Sequence, residues 1–175
     1  MGLRTSPGTM QLLMDKILHK LTFISVLCYL DDCVIFSSSF EQHLQDLNAV
    51  FYIFRLAGLK LGPKKCSFAK DKCVFLGHLI SRDGISPPPD RVKAVEDYPI
   101  PTSAKELQRF LGLLNWFRKF IPNFSAISKP PHELLRKGTS FTWTTKHTKC
   151  VNELKHRLLH SEVLAFDLTY HLHSL

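Results

Sequence analysis

Two adjacent carboxylates, Asp31 and Asp32, are the residues of this sequence best suited to chemistry. They separate two apolar runs, Phe23-Ile24-Ser25-Val26-Leu27-Cys28-Tyr29 and Val34-Ile35-Phe36. Both runs are rich in β-branched and aromatic residues and read as the strands of a β-hairpin with an acidic turn. An acidic pair at such a tip is costly unless water or a cation reaches it, because like charges repel beside buried strands. Adjacent carboxylates at a strand end suit magnesium, a hard cation that prefers oxygen ligands. Two such ions can activate an attacking 3′-hydroxyl and stabilise a leaving pyrophosphate in nucleotidyl transfer. Ordinary turn chemistry is the competing reading, since Asp is a common turn residue.

A second constellation lies on a helix predicted over 104–120, opened by Ser103 and Glu106 as a capping box. Gln108, Gly112 and Trp116 are spaced by four and share one face, with Lys105 and Arg109 beside them. Leu107, Phe110, Leu111 and Leu114 take the opposite, core-facing side. A stripe that is polar, then empty, then aromatic suits a helix laid along the minor groove of a duplex. Gln108 would reach base edges, Gly112 would permit close approach, and Trp116 would pack on sugars. Lys105, Arg109, Arg118 and Lys119 add phosphate contacts, which position a duplex without reading its sequence. The competing reading is an exposed tryptophan that covers a neighbouring helix.

Charge supports a polyanion partner. The 175 residues carry a net +8, and residues 101–160 hold eleven basic and three acidic side chains, whereas residues 1–40 hold three of each. With 45% hydrophobic and 22% charged residues the chain is expected to fold around a core. No apolar run is long enough to span a bilayer, so no membrane partner is expected, and no signal-peptide block opens the sequence. The expected location is intracellular, cytoplasmic or nuclear, and not secreted. The five cysteines, Cys28, Cys33, Cys66, Cys73 and Cys150, mostly sit among apolar residues and read as reduced core thiols. Cys66, Cys73 and His78 lack the spacing of a zinc finger or ribbon. His156 and His160, one helical turn apart, read as a solvated helix face.

The elements that must position these residues alternate along the chain. A helix is predicted near Met10 to Leu18, and another after Ser38 and Glu41, with Leu44, Leu47, Phe51 and Phe54 as its apolar stripe and Gly58 as its stop. Cys66-Ser67-Phe68 and Cys73-Val74-Phe75-Leu76 read as a second hairpin around Lys70-Asp71-Lys72. Pro87-Pro88-Pro89 marks the candidate domain boundary, and helices are predicted beyond it over 90–97, 104–120, 127–135 and 146–159. Val163-Leu164-Ala165-Phe166 reads as a last strand with partners outside the chain.

Tyr29-Leu30-Asp31-Asp32 between hydrophobic strands resembles the catalytic hairpin of reverse transcriptases, and its surroundings resemble the gypsy-type long-terminal-repeat retrotransposons. Gly2-Leu3-Arg4 with Ser6-Pro7, Ala57-Gly58-Leu59-Lys60-Leu61, Pro63-Lys64-Lys65-Cys66 and Phe75-Leu76-Gly77-His78-Leu79-Ile80-Ser81 follow in that family's order. So do Phe110-Leu111-Gly112, Arg118-Lys119-Phe120-Ile121-Pro122-Asn123-Phe124 and Phe141-Thr142-Trp143-Thr144. The resemblance runs from residue 2 to about 167 and implies an α+β fold, a partial polymerase palm followed by a helical thumb. It implies residues 1–86 as the C-terminal part of the palm, 87–137 as the thumb, and 138–175 as the start of a connection or RNase H-like region. It implies catalytic and magnesium-binding roles for Asp31 and Asp32. Phe75, Leu76, Gly77 and His78 match the primer grip, where a residue without a side chain suits a turn pressed on a nucleic-acid backbone. It implies an RNA/DNA primer–template duplex as partner.

The family's catalytic centre also uses a third aspartate from an upstream strand, and its fingers hold the incoming triphosphate; neither has a match here, and no ribonuclease H carboxylate is present. The chain is therefore expected to be a fragment of an RNA-directed DNA polymerase, inactive alone, with the N-terminal palm and fingers or other Pol domains as missing partners. An open apolar sheet edge and marginal solubility are expected with it. The alternative is a non-enzymatic nucleic-acid-binding relic of a retroelement.

Overall fold

The computed structural model describes residues 6–161, 163 and 164. These form two compact units that divide between Asp71 and Lys72. The Pro87–Pro89 punctuation pointed to a later boundary; by packing, the three-stranded sheet before the prolines belongs with the helices after them.

The first unit runs α1 (Ser6–Leu18), β1 (Val26–Tyr29), β2 (Asp32–Ile35) and α2 (Phe40–Leu56). Ser39, not Ser38, caps α2: its side chain accepts from the Gln42 backbone N–H at 3.2 Å. Met14 and Leu18 of α1 meet Val50 and Phe54 of α2 and Val26 of β1 in a core of five buried residues. Each pair is spaced by four, so each helix offers one narrow apolar line. The expected stripe on α2 is turned: Leu44 and Phe51 are exposed and Val50 is buried. Phe51 meets Phe68 edge to face instead, with ring centroids 6.1 Å apart. α1 and the hairpin together choose which side of α2 is covered, and periodicity alone does not fix that choice.

The second unit opens with an antiparallel sheet, β3 (Lys72–Phe75), β4 (His78–Ser81) and β5 (Gly84–Ser86), in that order. Phe75 pairs with His78, so the hairpin turns at Leu76-Gly77 and not at Lys70–Lys72. Both turn residues have positive φ, 49° and 75°, as a two-residue turn with the right twist requires. Leucine seldom adopts that conformation, which hid the turn from a residue-type reading. Cys66–Phe68 forms no strand. Four helices follow: α3 (Pro89–Glu96), α4 (Ala104–Trp116), α5 (Phe124–Glu133) and α6 (Thr145–Leu159).

Their core holds Val95, Leu107, Phe110, Leu111, Leu114, Phe117, Phe120, Ile121, Leu134, Val151, Leu154 and Leu158. Full burial of each large apolar side chain contributes about 1.5–3 kcal/mol before entropy is counted. Ser103 caps α4, accepting from the Glu106 N–H, and the Glu106 carboxylate accepts from the N–H and hydroxyl of Thr102 at 2.8 and 3.0 Å. Those two bonds hold the Glu106 carboxyl below its usual pKa, and Arg109 adds to the effect. Lys155 on α6 donates its ammonium to the carbonyls of Glu96 and Tyr98 and so closes the C-terminal end of α3. Burial pushes the Lys155 pKa down, against Asp97 and Glu96. Leu164 exchanges two 2.8 Å backbone hydrogen bonds with Ile85 in an isolated antiparallel bridge, so this residue of the expected strand is partnered inside the chain. Residues 165 and 166 of that expected strand, and Gly2-Leu3-Arg4, lie outside the described residues. Among the described residues no helix is long and apolar enough to cross a membrane.

Candidate functional site

The acidic hairpin is short and tightly specified. Tyr29 pairs with Asp32 and Cys28 with Cys33, so Asp31 lies in the turn and Asp32 opens the return strand. Leu30 takes the sharpest bend, with φ of 56°. A branched side chain in that region costs about 1–3 kcal/mol unless neighbours hold it. Gln11 of α1 does so: its Oε1 accepts from the Leu30 N–H at 2.5 Å, and its Nε2 donates to the Cys28 carbonyl at 3.3 Å. The same Nε2 donates to Asp15 at 2.7 Å, which fixes the amide orientation. Residue type alone does not single out Gln11. Its partners lie 17 and 19 residues away, so no local spacing signals the interaction.

Both carboxylates are exposed, and among the described residues neither has a hydrogen-bond or ion-pair partner. Their oxygens are therefore free to accept from water or a cation. The donor set fits a hard divalent ion in type, with two adjacent carboxylates on a fixed turn, and it is small. Among the described residues no group of three or more His, Cys, Asp or Glu side chains converges on one point.

The cysteines depart from expectation. Cys28 and Cys33 are joined in a disulfide, and Cys66, Cys73 and Cys150 are free. The hairpin register explains the pairing, because it sets the two residues directly opposite with Cα atoms 4.3 Å apart. Local apolar sequence gave no sign of it, since burial and pairing both favour such surroundings.

On α4 the division of faces is as the spacing requires. Leu107, Phe110, Leu111 and Leu114 are buried, while Lys105, Gln108, Arg109, Gly112 and Trp116 are exposed. A Cβ added at Gly112 would meet nothing within 4 Å, so the middle of the stripe is open. Arg118 and Lys119 are also exposed, in the short 3-10 turn after α4.

Trp116 lies at the join of two expected features, 58% exposed on one side and packed against the β3–β4 turn on the other. A Cβ on Gly77 would come within 3.2 Å of its ring. Gly77 thus has two local reasons to be glycine, its φ of 75° and the indole above it. Of the other residues in that turn, Phe75 is half-buried, Leu76 is exposed and His78 is half-buried. The His78 ring lies 5.9 Å from both Trp116 and Phe120, and its Nδ1 donates to the Leu76 carbonyl at 2.9 Å. Its buried Nε2 meets no partner among the described residues. His156 and His160 stack at 4.2 Å on the exposed side of α6.

Comparison with known proteins places this arrangement. The reverse transcriptase (RNA-dependent DNA polymerase) family model matches residues 1–80. The chain is 43% identical over 164 residues to the retrovirus-related Pol polyprotein from transposon 297 of Drosophila melanogaster, covering 93% of this chain and 16% of that polyprotein. It is 32% identical over 169 residues to the transposon Tf2-3 polyprotein of Schizosaccharomyces pombe, covering 96% and 13%. It thus spans less than a fifth of the length of these relatives. A foamy viral protease-reverse transcriptase in complex with dsDNA superposes with a TM-score of 0.83 at 30% identity, over 94% of this chain and 34% of that one. The same viral protein in complex with an RNA/DNA hybrid gives a TM-score of 0.80, over 91% and 22%. Fold and sequence agree on the class, a reverse transcriptase. Over residues 1–80 the chain matches the reverse transcriptases, and as a whole it is similar to a segment of the Pol polyproteins of long-terminal-repeat retrotransposons.

Proposed function

We propose that this segment supplies two parts of an RNA-directed DNA polymerase of the gypsy type: a carboxylate hairpin that holds a divalent cation, and a helix that tracks a primer–template duplex. The observation that carries the first part is the pair of exposed, unpartnered carboxylates on a turn fixed by Gln11. Asp31 and Asp32 provide the oxygen donors. Gln11 keeps Leu30 in its bent conformation and so aims the following carboxylates. A bound divalent cation, magnesium in the first instance, would supply activation of a 3′-hydroxyl and neutralisation of developing phosphate charge.

The second part rests on α4. Gln108, Gly112 and Trp116 face outward on one stripe, with Lys105 and Arg109 at its start and Arg118 and Lys119 just after its end, so duplex can approach Gly112 closely while these cations meet phosphate. The β3–β4 turn, Phe75 to His78, would hold the primer strand while its glycine seats Trp116. Two carboxylates make an incomplete polymerase site, so the chain alone binds duplex and cation without extending a primer.

The test is titration of the 175-residue chain with a fluorescent primer–template duplex and, separately, with manganous ion followed by paramagnetic relaxation. Asp31→Asn is expected to abolish relaxation at the hairpin and leave duplex affinity unchanged. Trp116→Ala is expected to do the reverse. Loss of duplex binding in Asp31→Asn, or no duplex binding by the parent chain at low salt, overturns the assignment. Primer extension by the parent chain that vanishes in Asp31→Asn overturns the inactivity alone.

A further inference from the structure

Cys28 and Cys33 play no part in the chemistry proposed above, yet they bracket it. The ring they close contains the turn Tyr29-Leu30-Asp31-Asp32 and nothing else. They are directly opposite each other, and 4.3 Å between Cα atoms is close to the about 4.5 Å of any non-hydrogen-bonded antiparallel pair. The strands therefore need little movement for the bond to form or to open. Cys33 is exposed and Cys28 half-buried, so a small reagent can reach one sulfur first and the second stands within reach of it. The other three cysteines are free, and burial raises the thiol pKa of Cys73, which makes it a slow nucleophile.

We propose that Cys28 and Cys33 form a reversible dithiol–disulfide couple that sets how freely the Asp31–Asp32 turn moves and, through it, how tightly the two carboxylates hold a divalent cation. The cation half of this rests on the reading of Asp31 and Asp32 as its ligands. The exchange partner is a small disulfide of the glutathione class. The Cys33 thiolate attacks one sulfur of that disulfide, forming a mixed disulfide and expelling one small thiolate. The Cys28 thiolate then attacks the Cys33 sulfur and expels the second. The two protein thiols lose two electrons and two protons, the oxidant's S–S bond takes them up as two small thiols, and excess small thiol drives the reverse. In the dithiol form the turn is held by its hairpin bonds and Gln11; in the disulfide form a covalent ring is added, and fewer open conformers remain.

The test uses the full 175-residue chain equilibrated in glutathione buffers from fully reduced to fully oxidised. Differential alkylation read by mass spectrometry is expected to show Cys28 and Cys33 becoming protected together, while Cys66 and Cys150 stay reactive and Cys73 reacts slowly and equally in every buffer. Backbone amide exchange at Leu30 and Asp32, whose N–H groups are bonded in the closed turn, is expected to slow by on the order of tenfold on oxidation, because opening of the turn is suppressed. Manganous ion, followed by paramagnetic relaxation, is expected to bind several-fold more tightly to the oxidised chain. Cys33→Ser, a change at an exposed position, is expected to remove all three responses, and the parent chain in its two states gives the same comparison with no substitution. A pair that stays reduced throughout, turn amides that exchange equally in both states, or equal manganous affinity in both states overturns the proposal. Redox-dependent amide exchange with no manganous binding in either state overturns the carboxylate reading and supports redox control of the turn itself.

Discussion

The two units of this chain divide their work unevenly. The first holds the carboxylates and closes on five buried residues, while large apolar side chains such as Leu12, Phe23, Ile24 and Tyr52 remain exposed. The second holds the basic helix and closes on twelve buried residues, with Phe110 and Phe117 fully enclosed. The difference shows where each unit places its precision. On the proposed reading the exposed stripe of α4 must be held rigid against a duplex, and a large core supplies that rigidity. On the proposed reading the acidic turn needs only to be fixed at its own bend, which Gln11 does from 17 and 19 residues away and the Cys28–Cys33 bond does directly.

The contrast is sharpest in the core of the second unit. Phe110→Ala removes a buried ring whose centroid lies 5.2 Å from that of Tyr98 and is expected to cost about 3–5 kcal/mol. Both tryptophans, Trp116 and Trp143, lie in this unit, so their fluorescence during urea unfolding measures the loss. A loss near 1 kcal/mol, far below the about 3–5 kcal/mol of a well-packed ring, would mean that the core repacks easily and that the rigidity ascribed to it is overstated.

Gly77→Ala comes next, because it forces a side chain into a left-handed turn and into the Trp116 ring. About 1–2 kcal/mol of destabilisation is expected from the backbone alone, read in the same unfolding experiment. Duplex affinity should fall with it if the glycine seats Trp116, and should stay unchanged if it serves only the turn.

Charge reversal at Lys105 or Arg109 leaves the fold intact and tests the basic face alone. Each is expected to weaken duplex binding by on the order of tenfold at low salt and to lower the logarithmic salt slope by about one for each phosphate that is no longer neutralised. An unchanged slope would remove that residue from the interface.

The smallest effect belongs to Glu106, whose carboxylate is held below its ordinary value of 4.5 by Thr102. A carboxyl with a depressed folded pKa stabilises the fold fully above its unfolded value and loses that contribution as pH falls through the folded one. Glu106→Gln should therefore matter slightly at pH 7 and not at all in strong acid. Melting curves across pH 2 to 7, about the range in which carboxylates titrate, check this.

Much of the candidate site was legible in the sequence. The acidic pair between apolar runs gave the hairpin, and the fourfold spacing of Gln108, Gly112 and Trp116 gave the outward face of α4, because helix and strand periods are local properties of the backbone. What escaped was decided by pairs distant in the chain or by unusual backbone. The Leu76-Gly77 turn is hidden because a leucine occupies a glycine-like conformation. The α2 stripe is displaced because α1 and the hairpin choose its buried side.

The sequence by itself therefore carried the family resemblance in its ordered motifs, and it determined the carboxylate pair, the localised basic charge and the two faces of α4, which follow from residue type and short-range spacing. Tertiary structure alone decided that Gln11 holds Leu30, that Cys28 faces Cys33, that Trp116 seats on Gly77, and that Leu164 bridges to Ile85. Each of these pairings depends on a register or a packing angle, which only the folded chain defines.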